Sequence, residues 1–238
     1  MSGWAKKRFW SETGVVVSGG GFRIALDGRL VTTPAKAPLV LPTQAMADAV
    51  AGEWAAQQDK VDPRRMPVTR SANAAIDKVM PQFDEVADLV AAYGGSDLLC
   101  YRAEYPQELT ARQSSAWDPL LDWAEAALGA PLVVTHGIVP VEQPAGSLAR
   151  LAARVRGFSA FELVAVHDLV AMSGSLVLGL AAAAGHAPAE AIWSLSRIDE
   201  DWQTEQWGDD EEAARTADRK KRDFLHAHHF LSLCAEHR

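Results

Sequence analysis

Asp199, Glu200, Asp201, Glu205, Asp209, Asp210, Glu211 and Glu212 fall within fourteen residues that contain no Lys or Arg. Carboxylates at this density could exchange protons, hold a divalent cation or present a charged surface to another macromolecule. Asp201 and Glu205 stand four residues apart, so a helix would put them on one face. There they could share a proton or a cation, though like charges so placed also repel by a few tenths of a kcal/mol. Catalytic sites seldom gather so much like charge without a metal or a basic partner, whereas a binding surface uses it for steering. Trp202 and Trp207 sit among these acids. Five residues apart on a helix is about 140° around its axis, so one core does not easily take both, and at least one is expected to face a groove or a partner. The stretch points first to a binding protein.

Other residue types suggest rival chemistry. His226, His228, His229, Cys234 and His237 crowd the C-terminus. His226 and His229 would share a helix side, but no second ligand pair lies upstream at zinc-site spacing, and a solvated polar face is the simpler reading. Gly19-Gly20-Gly21 has no following Gly-Lys-Ser/Thr and leads into a strand pattern, so it reads as a turn and no nucleotide site is expected. Neither Ser173 nor Ser175 has the flanking glycines of a nucleophile elbow. Carboxylates and basic residues also occur at helical spacing downstream, as in Glu211 with Arg215 and Asp218 with Arg222. From these residues two rivals to a dedicated binding protein remain. One is a metal-dependent hydrolase using the terminal histidines with the 199–212 carboxylates, and the other is a general holdase without a dedicated client.

The chain has 238 residues, enough for one large domain or two modest ones, with 48% hydrophobic and 23% charged residues. A formal net charge of −8 argues against nucleic acid as the main partner. Cys100 and Cys234 lack CxxC spacing and suit a reducing compartment. The first ten residues carry Lys6, Lys7 and Arg8 without the apolar core of a signal peptide or a long amphipathic presequence, so a cytoplasmic location is expected. The uncharged run Leu169 to Gly185 is short and rich in small residues, which favours a buried helix over a membrane span. Ser175, Gly179 and Ala183 recur every four positions there and would let a neighbouring helix approach closely.

The elements that must position these residues read as α+β. In the first forty residues Phe22, Ile24 and Leu26 alternate with Arg23, Ala25 and Asp27, and Asp27-Gly28 signals a two-residue hairpin. Leu39-Val40-Leu41 is a further candidate strand. A β-rich N-terminal domain over 1–42 is expected, followed by a mostly α-helical domain over 43–238. Pro131 to Val139 has strand character and could return to the N-terminal sheet. Thr43 is a candidate N-cap, with Met46, Val50 and Trp54 on one face of the helix it opens. Pro63 and Pro67 predict loop or extended chain over Val61 to Thr69, and Pro81 predicts the end of a helix. Asp97 could cap the turn holding Leu98 and Leu99. Asp118-Pro119 reads as an N-cap and first helical residue that restart a helix.

Several of these segments also carry a family resemblance. Arg8-Phe9-Trp10, Leu26-Asp27-Gly28-Arg29 with Thr33-Pro34, Leu41-Pro42-Thr43, Glu53-Trp54-x-x-Gln57 and Met66-Pro67-x-Thr69-Arg70 are five of them. Asp97-Leu98-Leu99-Cys100-Tyr101-Arg102, Gln113-x-x-x-Trp117-Asp118-Pro119-Leu120 and Trp202-Gln203-x-x-x-Trp207-Gly208 complete the set. In this order and spacing they resemble the assembly chaperones that receive the α subunit of the catalytic head of F-type ATP synthase. The resemblance implies a non-catalytic function without cofactor or metal: binding the unassembled α subunit and shielding the surface meant for β. It implies a small β-rich domain and a helical domain, and it places the partner-binding residues at Asp199, Glu200, Trp202, Gln203, Glu205 and Trp207. Trp54 resembles a position sensitive to change in the family, and Trp54, Trp117 and Asp118 are expected to act as structural anchors. A cytoplasmic bacterial member is implied, with a monomer expected because an assembly factor should keep its binding face free.

Overall fold

Turn chemistry shapes the start of the chain. In the computed structural model, which describes residues 7–208 and 210–235, β1 (Thr13–Ser18), β2 (Gly21–Leu26) and β3 (Arg29–Leu30) form an antiparallel sheet in that order. Lys6, Asp209 and His237 lie outside the described residues. Val15 pairs with Ile24, and Leu26 with Arg29 across the Asp27-Gly28 turn. Both turn residues have positive φ, 45° at Asp27 and 77° at Gly28, as the tightest hairpin requires. Ile24 and Leu26 face the core. The expected strand at Leu39–Leu41 is reduced to a bridge in which Phe22 and Leu41 exchange backbone hydrogen bonds of 2.9 and 2.8 Å. Pro38 and Pro42 flank it and cannot donate to a longer ladder. The fold is therefore α+β, a small antiparallel sheet followed by helices.

Thr43 caps α1 (Gln44–Ala55), its Oγ1 accepting from Met46 N at 3.2 Å. Met46 and Val50 are fully buried, and Trp54 lies half-buried further along the same helix. The prolines act less abruptly than their local chemistry suggests. Pro63–Arg65 is a 3-10 turn, and α2 (Pro67–Ala74) begins on Pro67, whose missing N–H is harmless at the first helical position. Pro81 does not stop the chain's winding. A π turn at Ala75–Val79 and a 3-10 turn at Met80–Gln82 lead directly into α3 (Phe83–Ala92). Altered winding beside a proline removes the demand for the bond it cannot make.

The restart expected at Asp118-Pro119 is likewise absent. α4 (Gln107–Leu128) runs unbroken through Pro119. Buried Gln113, Trp117, Leu120, Leu121 and Ala124 hold it on both sides of the lost hydrogen bond, so packing outweighs the proline. Asp118 caps nothing; its Oδ1 accepts from Arg102 Nη2 at 2.9 Å. Of Pro131 to Val139, only β5 (Thr135–His136) is extended. It pairs in parallel with β4 (Tyr101–Arg102), not with the N-terminal sheet. Gly137 N donates to Arg102 O at 2.8 Å and completes that short ladder.

The remaining helices are α5 (Ala145–Arg156), α6 (Ala160–Ser173), α7 (Leu176–Ala183), α8 (Ala189–Leu195), α9 (Ile198–Trp207) and α10 (Glu211–Ser232). Gly174, at φ 71°, ends α6, and Ser175 caps α7 by accepting from Leu178 N at 3.0 Å. A Cβ on Gly179 would overlap Cγ2 of Val170 and lie 3.2 Å from Val170 N, so α6 and α7 meet closely at this small residue. Asp97 is fully buried and accepts from Leu99 N (3.0 Å), Ser175 Oγ (2.7 Å) and Val177 N (3.0 Å), joining the Leu98–Cys100 turn to the start of α7. Burial raises its carboxyl above the ordinary value against the pull of these donors. No helix among the described residues is long and apolar enough to cross a membrane. The chain divides into two compact units. One gathers the described residues of 1–83, 160–164 and 229–238, and the other those of 84–159 and 165–228.

Gly179→Ala is expected to lower stability by about 1–3 kcal/mol, because the overlap with Val170 involves backbone as well as a side chain; a denaturant midpoint equal to the parent's contradicts it. Burial pushes the thiols of Cys100 and Cys234 up to about 12. Native protein at pH 8 is therefore expected to react with a disulfide reagent far more slowly than unfolded protein does, and equal rates refute the assignment.

Candidate functional site

α9 carries the acidic stretch, and the structure gives its carboxylates different tasks. Asp199, Glu200 and Asp201 occupy the first turn, where unpaired N–H groups favour negative charge. Asp199 Oδ1 accepts from Gln113 Nε2 at 2.6 Å, and Glu200 Oε1 accepts from Arg197 Nη1 at 2.6 Å. Glu205 receives Arg112 Nη1 on both oxygens at 2.8 Å. Beyond the helix, Asp210 accepts from Glu212 N and Ala213 N at the start of α10, and Glu211 pairs with Arg215 at 2.9 Å. Among the described residues, no ion pair forms at Asp201. The charges are thus answered partly from α4 and from Arg197, and not only by the basic run of α10.

The two tryptophans diverge as their spacing requires. Trp202 is half-buried, while Trp207 is 80% exposed at the last residue of α9. Asp199, Gln203 and Trp207 follow one another at four-residue intervals and make a single stripe. Asp199 and Gln203 border a groove of about 490 Å³ that is also lined by Arg102, Tyr105, Gln113 and Ile138.

Arg102 and Gln113 support this groove from behind. The Arg102 side chain is 1% exposed; Nε donates to Leu99 O at 3.0 Å, Nη2 to Asp118, and the guanidinium lies 5.1 Å from the Trp117 ring centroid. Burial draws its pKa down, opposed by the Asp118 charge. Trp117 is fully buried and donates Nε1–H to Leu195 O at 2.8 Å. Gln113, 2% exposed, accepts from Ala103 N at 2.8 Å through the oxygen of the same amide that donates to Asp199. Trp117 and Asp118 therefore meet at Arg102, one turn of α4 beyond Gln113. Trp54 belongs to the other compact unit, where its ring meets Trp10 edge-on at 5.3 Å between centroids.

Among the described residues, no group of three or more His, Cys, Asp and Glu is placed to hold a metal ion. The metal-dependent hydrolase alternative gains no support. Ser173 Oγ donates to Leu169 O and Ser175 Oγ to Asp97, so both hydroxyls serve the turn between α6 and α7.

Comparison with known proteins then decides the family. The family model described as the ATP12 chaperone protein matches residues 7–125, half of the chain. The chain belongs to the ATP12 chaperone family. Its structure is similar to the crystal structure of Atp12 from Paracoccus denitrificans, with a TM-score of 0.94 and 48% identity over 96% of this chain and 98% of that one. A mutant of P. denitrificans Atp12p with one aspartate replaced by lysine aligns with a TM-score of 0.95, the same identity and the same coverage. Protein atp12, mitochondrial, from Schizosaccharomyces pombe is 24% identical over 242 residues, covering 97% of this chain and 83% of its own. The ATP12 family is the ATP synthase assembly chaperone family that the sequence motifs resemble.

Sequence reasoning on this ATP12 family member missed the support given by Gln113 and Arg102 and the exposure of Tyr105 and Ile138. Gln113 and Arg102 were visible within the matched motifs. Tyr105 and Ile138 lay in segments with no motif, and the apolar run holding Ile138 resembled a strand. Replacing Gln113 by Ala leaves Ala103 N and Asp199 without their partner and is expected to lower stability by about 2–3 kcal/mol. Arg112→Ala removes only an exposed ion pair and is expected to change it by less than about 1 kcal/mol. Urea unfolding of both variants checks the contrast, and reversal of the order refutes it.

Proposed function

We propose that this chain binds the unassembled α subunit of the F-type ATP synthase catalytic head and keeps it from aggregating until it pairs with β. The observation that carries this reading is α9. It presents exposed carboxylates at Glu200 and Asp201 and, about two turns on, an 80% exposed Trp207, in a chain of a chaperone family.

An orphan subunit of a hexameric head exposes an apolar, partly basic interface larger than a soluble monomer tolerates. Carboxylates on α9 speed encounter with such a surface, and Trp207 supplies contact area once it is reached. Asp199, Gln203 and Trp202 extend the contact along the helix, and Glu205 takes part from its pair with Arg112. Trp54, Trp117 and Asp118 act as structural anchors. The protein works as a cytoplasmic monomer and transforms no substrate. A β subunit with a larger interface displaces it by mass action, so release needs no nucleotide.

Co-expression with the α subunit tests the proposal. The α subunit is expected to stay soluble with the parent chain and to precipitate when Trp207 and Glu200 are both replaced by Ala. Precipitation of α as readily with the parent chain as without it refutes the function; full solubility with the double variant refutes these positions.

A further inference from the structure

The groove beside α9 has features that the acidic helix alone does not explain. Tyr105 is 81% exposed and Ile138 94%, and both border it; Val139 beside Ile138 is 69% exposed, and Trp207 stands one turn beyond Gln203. Single apolar side chains on a surface are ordinary, but a cluster around one groove marks an interaction site.

The loop that carries Ile138 and Val139 is fastened at Pro131, Val133 and Gly137. Gln143, 8% exposed, accepts from Val133 N at 2.8 Å and donates to Val133 O at 2.9 Å. Ser147 Oγ donates to Pro131 O at 2.6 Å, and Gly137 N to Arg102 O. These bonds fix the backbone that leads into the exposed Ile138 and Val139.

The charges in the groove are as specific as its rim. Its ionisable lining residues include Arg102, Glu104 and Asp199. Arg102 is already committed to Asp118. Glu104 lies over Gly137, where a Cβ would come within 2.5 Å of its Oε1. Among the described residues, no cation pairs with Glu104 or Asp199. The groove therefore offers two carboxylates that no cation meets, Glu104 exposed and Asp199 half-buried with one hydrogen bond from Gln113, beside the apolar side chains of its rim.

The geometry points to a single occupant: an apolar segment of the client that bears one Arg or Lys. Its aliphatic stem lies against Tyr105 and Ile138, and its charge meets Glu104 and Asp199. A long cationic side chain combines an apolar stem with a charged head, which matches this rim and these carboxylates. The inference rests on the chaperone reading and deepens it, by extending the site beyond α9 to the 131–142 loop and by naming the chemistry of what it receives.

The test uses the full chain co-purified with the α subunit. Ile138→Asp and Glu104→Gln are each expected to lower the affinity for α by about tenfold or more, the scale of a buried anchor. Glu104→Gln is also expected to flatten the salt dependence of binding. Glu104 makes no hydrogen bond that the fold needs among the described residues, so its variant reads binding without a folding defect. A photoreactive residue at position 138 is expected to crosslink to an apolar stretch of α containing Lys or Arg. Parent-like affinity in both variants overturns the inference while leaving the chaperone reading intact. A crosslink to an acidic stretch, or to a second copy of this chain, also overturns it. Failure of the parent chain to retain α sinks the underlying reading instead.

Discussion

The amide of Gln113 ties two walls of the candidate groove to each other. One end accepts from the Ala103 N–H just beyond β4, and the other donates a hydrogen bond to Asp199 in the first turn of α9. A buried amide has little freedom to choose other partners, since each unmet donor or acceptor costs about 1–3 kcal/mol. The distance between the 101–105 segment and α9 is thereby fixed, and with it the width of the groove. One turn later on α4, Trp117 and Asp118 hold Arg102 by a ring face and a carboxylate. The acidic helix rests on a packed polar frame.

That frame explains how so many like charges share one short element. Three carboxylates sit where the helix N-terminus favours them, and Asp199, Glu200 and Glu205 each receive a donor from Gln113, Arg197 or Arg112. The exposed pairs at Glu200 and Glu205 add little stability. Their effect is to fix the direction in which charge is presented, while Asp201 stays without an ion pair among the described residues.

Where local chemistry decides the conformation, the sequence was readable. Thr43 and Asp97 cap the turns expected of them, and Asp27-Gly28 makes the hairpin its φ preferences allow. The small-residue spacing through Gly179 foretold a close helix contact. Proline was the misleading signal. At Pro119 packing on both sides overrides the local rule, and at Pro81 the winding adjusts instead. The run 131–139 has strand-like residues but pairs over only two of them, because a strand partner is a tertiary fact. The groove was hidden for the same reason. Its walls come from 101–105, 109–113, 137–138 and 199–203, and no periodicity within any one segment announces the others.

Gln143 has a thermodynamic consequence as well as a geometric one. A loop whose backbone is already fixed at Val133 has surrendered its conformational freedom during folding, before any partner arrives. Association then forfeits less entropy at the loop than it would with a slack segment. An exposed greasy surface that is rigid also resists collapsing onto its own chain.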